Sequence, residues 1–128
     1  MTKKAEFKEG YDKQETNCCV LHSTIVYDEE RKIPRLFVNT SNKHGDTSKG
    51  CEANIEGVVR LIHLTFKHKI DIGEVITQLS KVDCKACFRL KGKEVEKKNP
   101  NIKDIPNSCA DAIAKSLKKF QERGAFDG

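Results

Sequence analysis

The stretch between residues 50 and 70 constrains the fold of this chain more than any other part of the sequence. Apolar residues recur there at the spacing of a helix, at Ile55, Val58, Val59, Ile62 and Phe66. Leu61 and Leu64 widen that apolar face, so we predict a long helix that is buried on more than one side. Two further helices are predicted after it, and two strands before it.

The two later helices have clear start signals. Asp71 can cap a short helix, with Glu74 three residues on as in a capping box, and Ser108 with Asp111 gives the same pattern before a C-terminal helix. The C-terminal helix has one apolar face, and Gly124 is a suitable residue to end it. That face is made of Cys109, Ile113, Leu117 and Phe120.

The N-terminal third has the pattern of a β-hairpin. Residues 18–27 and 33–40 are rich in β-branched and aromatic residues, and the charged segment 28–32 between them is a turn. Residues 1–16 are polar and are expected to form an arm or a first edge element. Strands precede helices, so we predict an α+β fold in which an antiparallel strand layer packs with the long, short and C-terminal helices. The predicted division is a polar N-terminal arm over 1–16 and a single domain over 17–128.

Charge and hydropathy exclude some classes of partner. The chain of 128 residues has a net charge of +5, but its lysines are scattered among acids and aromatics are few. A nucleic-acid groove is therefore not expected, whereas a small phosphorylated ligand remains compatible with local Lys and Arg clusters. No apolar run approaches the roughly 18 residues that a membrane helix needs, and the charged N-terminus does not resemble a secretion signal. We expect a cytoplasmic protein.

An oligomer is expected from the same features. A two-strand hairpin is marginal by itself and leaves edges that need a partner. The long helix is apolar around most of its girth, which is more than one small sheet would cover. These properties predict a homo-oligomer, either a dimer or a larger symmetric assembly.

Six cysteines in a cytoplasmic chain are not expected to form a disulfide framework. Cys84 and Cys87 form one C-x-x-C pair, and Cys109 is a distant third sulfur. A structural zinc site usually takes two such pairs, and a second is absent from the sequence. Zinc bound by these three cysteines is therefore the weaker alternative, and inert or weakly redox-active thiols are the stronger one.

Several motifs together resemble the TSCPD domain. They are G-C-x-A-N-x-E at 50–56, Arg-Leu-Ile at 60–62, Ile-x-Gln-Leu at 76–79, Cys84, and Ser-Cys-Ala-Asp-Ala-Ile-Ala at 108–114. The run that names the family reads Asn-Ser-Cys-Ala-Asp here, at 107–111. The domain is best known as the C-terminal module of adenosylcobalamin-dependent ribonucleotide reductases, and it also occurs alone. Nothing of the reductase catalytic barrel is present, so the resemblance implies an accessory or regulatory domain rather than reductase activity.

The chain also resembles small phage proteins of the first Thoeris anti-defence family in length and in element order. Those proteins capture cyclic ADP-ribose isomers made by bacterial TIR-domain immune enzymes, and they do not cleave them. The resemblance implies a host bacterial cytoplasm as the location if a phage encodes the chain. It also implies that Phe88 stacks on adenine and that Arg60 and Lys115 reach the ligand. We further expect Arg89 to meet phosphate, and Asn99 or Asn101 to contact polar edges of the sugar or base.

Each of these residues also has a simpler interpretation. Phe88 can belong to the core or to a hairpin, while Arg60 can pair with Glu56 and Lys115 with Asp111, four residues away in each case.

No P-loop, G-x-S-x-G or H-E-x-x-H motif is found, so an enzyme is not expected. The first hypothesis is a protein that sequesters an anionic nucleotide without a cofactor. The second is a reductase accessory domain, with zinc as its possible metal.

Overall fold

The computed structural model describes residues 8–16, 19–42, 49–84 and 104–126, without the side chains of 42 and 49–52. Within these ranges the chain forms a three-stranded antiparallel sheet and three α-helices, which confirms the predicted α+β class. The strands are β1 (Glu9–Glu15), β2 (Cys19–Asp28) and β3 (Ile33–Asn42). The helices are α1 (Lys49–Lys67), α2 (Ile72–Ser80) and α3 (Cys109–Glu122).

The predicted hairpin is formed by β2 and β3, which pair antiparallel with Ile25 opposite Leu36. Along β2 the side chains alternate between buried and half-buried, as expected for a strand that has one face in the core. The Asp28 carboxylate accepts the backbone N–H groups of Glu30 and Arg31, which stabilises the turn between the two strands.

The segment predicted as an arm or first edge element contains an edge strand. Strand β1 pairs antiparallel with β2 over its whole length, and residue 12 lies opposite residue 23. Its strand pattern is hard to recognise in the sequence because the side chains that it turns inward, Asp12 and Gln14, are polar. They are buried and hydrogen-bonded to each other, so they occupy positions where an apolar residue would be expected.

Helix α3 packs on the inner face of the sheet and contributes its most buried side chains to the core. Ile113, Leu117 and Phe120 are fully buried there, together with Leu21 and Ile25 from β2. The predicted cap is confirmed, since the Ser108 hydroxyl accepts the N–H of Asp111 at 2.9 Å. Gly124 follows the helix with a positive φ of 87°, a conformation that glycine adopts without strain.

Helix α2 packs against α3 through Ile72 and Val75, which are buried. Its predicted cap is also confirmed, because the Asp71 side chain accepts the N–H of Gly73.

Helix α1 packs mainly against β3 and buries one face, formed by Ile55, Ile62 and Phe66. The expected burial of Leu61 and Leu64 is wrong for the single chain. Their side chains are 63% and 50% exposed, because they lie on the side of the helix that faces away from β3 and the core.

Candidate functional site

A groove of about 500 Å³ lies between α1 and β3. Its size is within the range of small-molecule sites in proteins. One wall consists of residues 36–40 of β3, and the other is formed by Ile55, Glu56, Val59, Arg60 and His63 of α1. Arg60, which was predicted from the sequence to reach a ligand, therefore borders a concave surface. It also forms the local ion pair expected with Glu56, with a distance of 3.1 Å between the two side chains.

The Arg60–Glu56 pair is exposed and leaves the guanidinium available to a ligand. Both side chains are largely solvated, and pairs of this kind contribute at most about 1 kcal/mol to stability. An anion in the groove would therefore meet a cation whose existing partner is easily replaced. A planar guanidinium suits this role because it donates two parallel hydrogen bonds to a phosphate.

His63 holds α1 against the edge of the sheet. The backbone N–H of Leu36 donates to His63 Nε2 at 3.0 Å, so a peptide group on the outer edge of β3 gains an acceptor. Burial lowers the pKa of the His63 imidazole below its ordinary value, and the nearby positive charge of Arg35 lowers it further. The accepting nitrogen needs a lone pair, which the neutral ring provides. His63 is therefore a neutral member of the groove wall.

The β3 wall adds an aromatic ring and an amide that were not predicted as site residues. Phe37 is 44% exposed, and the Arg35 guanidinium lies 5.4 Å from its ring centroid. Asn39 lies on the same face of the strand and also lines the groove. Strand alternation in residues 33–40 indicates this face, because Phe37 and Asn39 alternate with Leu36 and Val38. The groove itself depends on the packing of α1 against β3.

The second predicted cation, Lys115, lies two turns into α3 and is 27% exposed. Its ammonium group is 3.2 Å from the buried carboxylate of Asp111, as expected from their spacing. The same carboxylate oxygen accepts the backbone N–H of Asn107 at 2.8 Å. Lys115 thus belongs to a hydrogen-bonded cluster at the N-terminus of the helix.

Cys84 is also anchored at this end of α3. Its backbone N–H donates to the carbonyl of Asn107 at 2.8 Å, which brings the chain that follows α2 to the start of α3. The Cys109 sulfur, in the first residue of α3, is 3.9 Å from the Thr16 hydroxyl oxygen. Among the residues that the structure describes, no three His, Cys, Asp or Glu side chains are grouped to hold a metal ion. Cys87, the third cysteine of the zinc alternative, lies outside the described residues.

The structure therefore places two of the six predicted ligand-binding residues. Arg60 lies on α1 and Lys115 on α3, and each forms an ion pair with an acid four residues earlier on its own helix. Phe88, Arg89, Asn99 and Asn101 lie outside the described residues. No helix in the described ranges is both long and apolar enough to span a membrane.

Comparison with known proteins identifies one family. The family model described as the TSCPD domain matches residues 3–121, which includes all three strands and most of α3. No curated protein was found to match the chain. No solved structure was found to match it either.

Proposed function

The chain belongs to the TSCPD domain family, and we propose that it is a non-catalytic binding protein that sequesters an anionic adenine nucleotide, most specifically a cyclic ADP-ribose isomer. The observation that carries this proposal is the position of Arg60. Its guanidinium borders a groove of about 500 Å³, and its partner among the described residues is Glu56, in an exposed ion pair. A groove of this size accommodates a nucleotide, and Arg60 supplies a positive charge for a phosphate.

The start of α3 forms a second part of the proposed ligand site, and the positions of Lys115 and the anchored Cys84 support this. Phe88 is the fourth residue after Cys84, so the chain between them can span at most about 14 Å. The hydrogen bond from Cys84 to Asn107 keeps the start of this segment near the helix end that carries Asp111 and Lys115. In the proposal Phe88 stacks on the base, Arg89 and Lys115 meet phosphate, and Asn99 or Asn101 contacts the sugar or base. The protein acts in the cytoplasm, which is that of the bacterial host if a phage encodes it.

The first test is calorimetric titration of the full chain with cyclic and linear ADP-ribose species. Phe88→Ala is expected to weaken binding about tenfold or more, since base stacking contributes about 1–3 kcal/mol. Tyr11→Ala, which removes an exposed ring from β1 outside the groove, is the matched control and is expected to bind normally. If the unchanged protein binds none of these nucleotides, the proposal is wrong.

A second prediction concerns Lys115. Lys115→Gln is expected to weaken binding at least about tenfold, because a charge-assisted bond to phosphate is lost, whereas Lys115→Arg keeps most of the affinity. Lys118→Gln, on an exposed position of the same helix, is the control. Asp111 is buried and loses its cation in Lys115→Gln, so thermal unfolding must accompany each titration. Equal affinity of Lys115→Gln and the unchanged protein would remove Lys115 from the site.

Sequestration and catalysis are distinguished by the nucleotide that is recovered after incubation with the protein. After incubation with the nucleotide and heat denaturation, mass spectrometry is expected to detect intact ligand at the input amount. Conversion to a product with time would show that the protein is an enzyme.

The second candidate function is a stand-alone accessory domain of ribonucleotide reductase, which family membership favours. Its zinc-binding form would use Cys84 and Cys109, which lie near the same end of α3, together with Cys87. Native mass spectrometry of the purified protein would then show one zinc ion per chain. Cys84→Ser would lose that ion, whereas Cys19→Ser in β2 would keep it. A gene neighbourhood of reductase genes rather than prophage genes would also favour this candidate.

A further inference from the structure

The side of α1 that faces away from the core carries four apolar residues between positions 53 and 64. Ala53, Gly57, Leu61 and Leu64 follow one another at intervals of four, four and three residues, so they lie on one helix face. All four positions are exposed, and the leucines are 63% and 50% exposed. Single exposed leucines are ordinary, but four neighbouring apolar positions on one helix face over residues 53–64 indicate a contact surface.

Gly57 is a second feature of α1 that indicates a contact on this face. It lies in the middle of α1, where a glycine costs about 1 kcal/mol relative to alanine. Among the residues that the structure describes, a Cβ atom added at this position would meet no atom within 4 Å, so packing against them does not require a glycine. Glycine in a helix does, however, let another backbone or a large side chain approach closely. Its position between the exposed Ala53 and Leu61 indicates approach from outside the chain.

We propose that this face of α1 is the contact between two copies of the chain, related by a two-fold axis with their α1 helices antiparallel. An axis near residue 59 places Leu61 of one copy over Gly57 of the other. Each leucine then fills the space that the opposite glycine leaves. Two-fold contacts of this kind are self-complementary, because the same patch is used by both copies.

The charges beside these apolar residues favour a second copy of the chain, rather than a membrane surface, as the partner that binds this face. Glu56 and Arg60 lie on the same flank of α1, both largely exposed. In an antiparallel two-fold pair, equal flanks face each other, so each Glu56 lies beside the partner's Arg60. These pairs lie at the rim of the contact, where they confer orientation and, being exposed, leave Arg60 able to exchange its carboxylate partner for a phosphate. A membrane surface would instead favour a flank that carries only basic residues.

Light scattering of the full chain after size-exclusion chromatography tests the proposal. The unchanged protein is expected at twice the 14.5 kDa mass of one chain at micromolar concentration. The double variant Leu61→Glu/Leu64→Glu is expected to be a folded monomer, because neither side chain belongs to the core of the single chain. Val82→Glu, at another exposed apolar residue outside α1, is the matched control and stays dimeric.

Gly57→Leu separates the interface from folding. A Cβ atom at this position meets none of the described residues, and leucine has a better helix propensity than glycine, so circular dichroism and thermal unfolding are expected to show a monomer that is at least as stable. The leucine prevents close approach, so the dimer dissociation constant rises at least about tenfold. Glu56→Arg is expected to weaken association, and the exchange Glu56→Arg/Arg60→Glu to restore it. A monomeric unchanged protein, or a dimer that persists in both Leu61→Glu/Leu64→Glu and Gly57→Leu, would overturn the proposal.

Discussion

Asp12 shows how a single buried carboxylate joins two elements of this protein. It lies on the inner face of β1, and its oxygens accept hydrogen bonds from Ser116 Oγ at 2.6 Å and Gln14 Nε2 at 2.9 Å. The ammonium of Lys119 is 3.2 Å away. Burial by itself would raise the pKa of Asp12, but these donors and the lysine charge together hold that pKa below its ordinary value. The charged carboxylate therefore stabilises the contact between β1 and α3.

The stability of the protein should depend on pH through Asp12. Because the pKa is lowered in the folded state, the stabilisation is present above the ordinary aspartate pKa and is lost as pH falls through it towards the lowered value. We expect Asp12→Asn to be less stable than the unchanged protein at neutral pH by about 2 kcal/mol, and to lose less stability on acidification. Urea unfolding at a series of pH values between about 6 and 2 measures both effects.

Glu29→Gln provides the control for this measurement, because Glu29 is exposed in the turn between β2 and β3. Its pH profile should match that of the unchanged protein. If Asp12→Asn and the unchanged protein have parallel profiles, the Asp12 carboxylate does not contribute to acid sensitivity.

Sequence spacing predicted only the local part of the candidate site. The pairs Glu56–Arg60 and Asp111–Lys115 follow from helix geometry, since residues four apart share a face, and both pairs are found. The roles of Phe37 and His63 were not predicted, because both depend on α1 packing beside β3. The sequence contains no local signal for that packing.

At the scale of elements, the start of α3 is the best-defined helix terminus in the described part of the chain. Ser108 Oγ accepts the N–H of Asp111, and the Asp111 carboxylate accepts the N–H of Asn107. Both side chains are buried, so water cannot easily replace these hydrogen bonds. The terminus also holds Cys84, so its order extends to the chain that follows α2.

Ser108→Ala should therefore destabilise the protein by about 1–2 kcal/mol, because it leaves the N–H of Asp111 without its acceptor. Ser80→Ala is the matched control, since the Ser80 hydroxyl donates to Thr77 O on an exposed turn at the end of α2. Its effect should stay within about 0.5 kcal/mol. Equal urea midpoints for the two variants would show that the Ser108 cap contributes no more to stability than the exposed Ser80 hydrogen bond.

An element could be predicted from the sequence where the spacing of its apolar residues agrees with the period of a helix or a strand. The hairpin and the three helices have that agreement, and all of them form. Strand β1 lacks it, because Asp12 and Gln14 occupy its buried positions and their partners come from the strand itself and from α3. The predicted packing of the long and C-terminal helices on the strand layer is found, with α1 on β3 and α3 on β1 and β2.

At the scale of the whole molecule, the sheet separates a core from an open face. Every strand contributes side chains to the inner face, which lies beneath α3 at β1 and β2 and beneath α1 at β3, and Phe120 of α3 is fully buried. The outer face carries the exposed rings of Tyr11 and Phe37. Tyr11 is held by its hydroxyl contact with His22 Nδ1 at 2.6 Å and by the stacking of the two rings.

This asymmetry predicts losses of stability of very different size for two phenylalanine-to-alanine substitutions. Phe120→Ala should destabilise the protein by about 3–5 kcal/mol, because a fully buried ring leaves both lost transfer energy and a cavity. Small domains have only about 5–15 kcal/mol of stability, so this variant should unfold at much lower urea or not fold. Phe37→Ala should lose about 1 kcal/mol or less, chiefly the contact with the Arg35 guanidinium. Urea unfolding followed by circular dichroism compares the two, and a large loss in Phe37→Ala would show that the outer face is covered in solution.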